Sequence, residues 1–135
     1  MKQEILDALK SLGFKVNDLG ENGFYGFRYE CNNLMYMYNE HDEDFLNIAA
    51  PFVQEIDPDN ELLYYQLMDN INSKLKYVKA YRMENDVWLF VEHELQETDD
   101  LNAVLMSMIA HLDMGVTIFH DALAKIEADG DEDEE

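Results

Sequence analysis

The sequence predicts an α+β domain in which helices pack on an antiparallel sheet of about five strands, in the order α-β-β-β-α-β-β-α. Apolar residues recur at helical spacing in three separated segments, and between these lie short aromatic, β-branched or Met-rich runs broken by turn formers. At 135 residues the chain also suits a single core, since most domains are built from roughly 100 to 150 residues.

Ile5, Leu6, Leu9 and Leu12 mark a first helix over residues 2–12, with Gly13 placed to close it in a left-handed cap. Strand-like runs follow at Phe14–Val16, Phe24–Glu30, Leu34–Tyr38 and Phe45–Phe52. They are separated by residues 17–23, 31–33 and 39–44, which are rich in Asn, Asp and Gly, and together they predict a meander of three main strands. Asp57-Pro58-Asp59 announces a second helix, with Asp57 as N-cap, Pro58 in the first turn and an acid near the positive dipole end. Leu63, Tyr64, Leu67, Met68, Ile71 and Leu75 form its apolar stripe. Tyr77–Met83 and Val87–Leu95, joined by Glu84-Asn85-Asp86, read as a hairpin.

Thr98-Asp99-Asp100 caps a last helix running to about Glu127. Leu101, Val104, Leu105, Met108, Ile109, Leu112, Val116, Phe119, Leu123 and Ile126 fall on one arc of it. The domain is thus expected over residues 1–127. Residues 128–135 are a self-repelling acidic block, expected to form a solvated, mobile tail.

This element order, the chain length, the acidic balance and stretches such as Phe24-Tyr25-Gly26-Phe27-Arg28-Tyr29 and Leu75-Lys76-Tyr77-Val78-Lys79-Ala80-Tyr81 resemble the bacterial YbjN-type proteins and the related type III secretion chaperone-like fold. The resemblance spans residues 1–127. It implies a non-enzymatic domain, often dimeric: secretion chaperones of this fold hold extended client segments, and YbjN proteins carry a regulatory label. It assigns no catalytic residue to this numbering, and the acidic tail is not part of the shared pattern.

Thirty Asp and Glu against nine Lys and Arg give a net charge of −21, while 47% hydrophobic and 12% aromatic content supply a packed interior. A field of that sign repels phosphate backbones and anionic headgroups, so neither nucleic acid nor a membrane surface is an expected partner. One cysteine, Cys31, forms no internal disulfide. The start of the chain lacks the apolar run of a signal peptide, and no unbroken apolar run approaches the ~20 residues of a membrane span, which together favour a cytoplasmic protein.

Recognisable chemistry is sparse. His93-Glu94-Leu95-Gln96-Glu97 starts like a zinc-protease motif, but Glu97 stands where the second histidine belongs. His111 and His120 fall on opposite sides of the last helix. His41 to Asp44 is an acidic loop that a hard cation could visit, although a solvated connection between strands is the commoner reading. Asp57–Glu61 lacks the glycine and the closing glutamate of a calcium loop, and Gly20, Gly23 and Gly26 precede no G-K-[ST]. No cofactor and no enzymatic activity are expected.

Apolar side chains nevertheless exceed what one sheet face needs. Leu34–Tyr38 and Val87–Val91 point apolar residues to both faces, so Tyr36, Tyr38, Trp88 and Phe90 are candidate contacts for a protein segment. A second stripe on the last helix, Ala103, Met106, Ala110, Met114 and Ile118, is a candidate homodimer contact. The competing expectation is that the protein's own helices cover both faces, with a small ligand-binding domain or enzyme as the alternative function.

Overall fold

A computed structural model describes residues 1–20 and 23–133, with side chains to residue 129. α1 (Lys2–Ser11) ends as expected at Gly13, whose φ of 98° makes the left-handed turn that lets Phe14 N–H reach the Leu9 carbonyl. Phe14–Val16 is not a strand. Phe14 instead plugs its ring against Phe27 and Tyr29, and the first strand, β1, is the two-residue Asn17–Asp18 inside the expected connection.

β2 (Phe24–Tyr29), β3 (Asn32–Met37) and β4 (Phe45–Glu55) follow, then a 3-10 turn at Pro58–Asn60 and α2 (Glu61–Lys74). Asp57 caps that turn, its carboxylate accepting from Asp59 N–H at 2.9 Å. β5 (Val78–Met83) and β6 (Asp86–Glu94) form the second hairpin, and α3 (Leu101–Asp133) closes the chain. Asp100 starts α3 by accepting from Ala103 N–H. The helix continues through residues 128–133, past the boundary expected near Glu127; residues 134–135 lie outside the described residues.

The strands form one antiparallel six-stranded sheet in the order β1-β2-β3-β4-β6-β5, so the second hairpin inserts its later strand beside β4. All three helices pack on the same face. Ile5 and Leu9 of α1, Leu67 and Ile71 of α2, and Leu105, Ile109, Leu112 and Phe119 of α3 close over Leu34, Ile48, Leu89 and Val91. By length and composition α3 is apolar enough to cross a membrane, with a mean hydropathy of 1.4 over its best window. Scattered polar positions conceal this from a search for an unbroken apolar run, and much of its apolar arc is used against the sheet. Ile126, expected on that arc, is 42% exposed because the helix has by then passed the end of the core.

Two contacts fix α2 and α3 on the sheet. At Gly115 a Cβ would stand 3.0 Å from methyl groups of both Leu89 and Val78, so α3 crosses the β5-β6 pair at a distance that leaves no room for a larger side chain. At the outer edge of β5, Asn72 Nδ2 donates to the Ala80 carbonyl at 2.8 Å while Ala80 N–H donates to Asn72 Oδ1 at 2.6 Å. The amide thus takes the place of a neighbouring strand, and such occupation protects an edge from pairing with another chain. Asn72→Ala is expected to lower stability by about 1–2 kcal/mol, the range for losing hydrogen bonds to a buried backbone group, as read by urea denaturation. Asn72→Asp keeps the acceptor for Ala80 N–H but sets a carboxylate oxygen against the Ala80 carbonyl, so it should lose at least as much at neutral pH.

Candidate functional site

Strand register decides which side chains lie on the face without helices. Met35 pairs with Ala49, and Ala49 with Phe90; Trp88 pairs with Tyr81. These residues point away from α1–α3, and Met35, Ala49 and Phe90 are buried yet stand apart from the helix-covered core. Their cover is other side chains of the same face. Tyr81 stacks on Phe90 at 4.3 Å with the rings nearly parallel, Trp88 lies 6.0 Å beyond Phe90, and Phe52 meets Trp88 edge-on at 5.0 Å. The result is an aromatic strip in the order Phe52, Trp88, Phe90, Tyr81.

Phe52 was hidden from the sequence reading because the backbone exposes it by an irregularity. The β4-β6 register shifts between Ala50 and Gln54, and at this bulge Phe52 takes φ 51°, a left-handed conformation that costs a non-glycine residue about 1–2 kcal/mol. Its ring is left 68% exposed. Behind the bulge His120 Nε2 donates to the Val53 carbonyl at 2.8 Å, so α3 fixes the bend from the covered side. A cavity of about 410 Å³ opens here, lined by Leu19, Phe24, Met35, Phe52, Met83, Glu84 and Trp88. A second, of about 380 Å³, shares Leu19 and Met35 with it and reaches Lys15 and Arg28. Trp88 Nε1 is buried beside this trough with no hydrogen-bond partner among the described residues.

Of the four candidate contacts, Trp88 and Phe90 lie on the uncovered face, but only Trp88 is partly exposed; Phe90, at 1% exposure, lies beneath Tyr81 and Trp88 and supports the strip without reaching its surface. Tyr36 pairs with Ile48 on the helix-covered face and is 2% exposed, which removes it from any contact surface. Burial, with the neighbouring Tyr38, Tyr25 and Glu43 adding to it, pushes its hydroxyl pKa well above the ordinary value. Tyr38 lies just past β3, where its hydroxyl donates to Glu43 at 2.5 Å; that bond is the main cause of a pKa raised to about 12. Lys2 sits over the rings of Tyr25 and Tyr38 in the same corner, and the His41–Asp44 loop borders it without a cluster of three metal-ligating side chains among the described residues. On α3, Ala103, Ala110 and Met114 are exposed, but Met106 is half-buried and Ile118 packs against the core, so that stripe is narrower than expected.

A different cavity, about 440 Å³, separates the start of α3 from β6 and the residues before β5. Its walls include Tyr77, His93, Asp99, Ser107 and His111. His93 Nε2 lies 2.9 Å from Asp99, and the same carboxylate oxygen accepts from Gln96 N–H at 2.8 Å. The Gln96 N–H first, and His93 second, hold the Asp99 pKa below its ordinary 3.8. This contribution to stability is full above the ordinary carboxylate range and is lost as pH falls through the depressed value. Asp99→Asn should therefore be less stable than the wild type at neutral pH, with the gap closing on acidification, as read by denaturation midpoints across pH.

No family model and no curated protein sequence matches the chain. Among solved structures the chain is similar to YbjN, a proposed transcription regulator from E. coli, with a TM-score of 0.71 over 93% of this chain and 92% of that one at 12% identity. At that identity the likeness shows a shared fold, the YbjN architecture expected from the element order.

Proposed function

We propose that the chain is a non-enzymatic, cytoplasmic protein-binding module that takes a polypeptide on the uncovered sheet face, in the manner of a chaperone or regulatory adaptor. The observation that carries this reading is the aromatic strip in which exposed Phe52, held out on a strained bulge, and exposed Tyr81 flank half-buried Trp88 over the buried Phe90, beside an apolar trough. Large apolar patches on a folded surface mark interaction sites, and aromatic residues dominate binding energy at their centres. Proposed transcription regulation by a protein of the same fold is compatible with a role exercised through protein contacts. A net charge of −21 disfavours direct grip on nucleic acid.

A second reading, a small-ligand pocket or an enzyme of unrecognised class, is favoured by the cavity holding His93, Asp99 and His111. Immobilised protein exposed to native extract separates the two. Polypeptides retained by the wild type should be lost with Phe52→Glu and kept with His93→Ala; the reverse pattern would move the function to the histidine cavity.

A further inference from the structure

We infer that the cavity between the start of α3 and β6 is a binding site for a small organic ammonium ion with an apolar or aromatic body. This gives chemistry to the cavity of the second reading and does not depend on what the uncovered sheet face binds. At about 440 Å³ the space falls within the range of small-molecule pockets, roughly 300–1,000 Å³. Val91, Val104 and Met108 give it an apolar lining, and Tyr77, 70% exposed, brings its ring edge-on to His111 at 5.0 Å.

The polar groups of the cavity have largely spent their donors. Ionised Asp99 and the Ser107 carbonyl only accept, so His93 Nε2 and His111 Nδ1, at 2.9 Å and 2.6 Å from them, carry the ring protons. Each neutral ring keeps its other nitrogen as an acceptor. The Gln96 and Ala103 N–H groups are likewise committed, to the Asp99 and Asp100 carboxylates. Glu92, Asp99 and Asp100 line the cavity, whereas no Lys or Arg does. Lys79 on β5 offsets Glu92 at 3.3 Å, and Lys76 beside Tyr77 stands outside the lining, so the net charge comes from Asp99 and Asp100. A matching ligand donates hydrogen bonds, carries positive charge and presents apolar surface. A protonated amine on a short hydrocarbon or aryl body does all three, its ammonium drawn by carboxylates and aromatic faces alike. A metal ion fits less well, because no three metal-ligating side chains gather among the described residues.

Phenethylamine, its neutral analogue 2-phenylethanol and its anionic analogue 3-phenylpropionate test this on the full chain at physiological salt, by calorimetry and by histidine ring signals in proton NMR. The amine should saturate one site per chain and move the signals of His93 and His111. The alcohol should bind about tenfold more weakly, having no charge-assisted hydrogen bond, and the acid should not bind. His41, within the acidic loop 39–44, should stay in place and so exclude diffuse attraction to a chain of net charge −21. Ala103→Trp, at an exposed helix position, should fill the cavity and abolish binding. Asp100→Asn keeps a capping oxygen without the charge, and Tyr77→Gly removes the ring while easing a φ of 71°; each should weaken the amine by about three- to tenfold. Phe52→Glu should bind it as the wild type does. Amine uptake that is absent, matched by the alcohol, accompanied by equal shifts at His41 or untouched by Ala103→Trp overturns the inference. Any of these results leaves the polypeptide-retention test of Phe52→Glu standing, so the two readings fall separately.

Discussion

Gly115→Leu is expected to lower unfolding free energy by about 3 kcal/mol, the upper part of the range for forcing extra methylenes into a packed core. Already at the Cβ position the distance to Leu89 and Val78 is 3.0 Å, and both belong to strands that α3 crosses near its middle. Neither strand has room to retreat without disturbing the aromatic strip on its other side. Gly115→Ala divides the effect into two opposing parts. Alanine gains about 1 kcal/mol of helix propensity over glycine, while the contacts it meets are methyl ends of side chains that shift by a few tenths of an ångström. A net change within about 1 kcal/mol for alanine beside a large loss for leucine, in guanidinium denaturation, would identify the site as a close crossing; a mild leucine variant would show that α3 rides higher on the sheet.

Phe119→Ala should cost about 4–5 kcal/mol and Phe90→Ala about 3 kcal/mol, both within the range for truncating a buried aromatic ring. The two rings are equally hidden, at 0% and 1% exposure, but by different surroundings. Phe119 is enclosed between α3 and the sheet in the main core, where neighbours cannot collapse into the space it leaves. Phe90 is covered on the open face by Tyr81 and Trp88, which are free to settle into the gap. The order of the two losses is the informative result. Equal losses would mean that the open face is as rigidly packed as the core, and would weaken its case as a docking surface.

Local features of the fold were legible in the sequence, and non-local ones were not. Asp57-Pro58, Gly13 and the α3 arc are short-range patterns governed by caps and helical periodicity; Gly13 and the arc as far as Leu123 act where expected, while Asp57 caps the 3-10 turn ahead of α2 and Ile126 falls beyond the core. Alternation in Leu34–Tyr38 and Val87–Val91 announced two apolar faces but could not say which one the helices take, so Tyr36 and Trp88 were grouped although the sheet separates them. Phe52 depends on a register shift between strands distant in sequence, β1 is too short to carry a pattern, and Asn72 acquires its role only once α2 lies along β5. Gly115 carries no local signal, since its role comes from Leu89 and Val78 on strands that only the tertiary fold brings beneath α3.

The insertion of β6 between β4 and β5 has a consequence for the nascent chain. β4 emerges from the ribosome with one flank paired to β3, while the strand that satisfies its other flank is translated only after α2 and β5. At roughly 5–20 residues per second that delay lasts several seconds, during which an apolar ribbon stands open to unrelated polypeptides in the crowded exit zone. Slowing elongation through the α2 codons should therefore raise the insoluble fraction of newly made protein while leaving the equilibrium stability of the finished molecule unchanged.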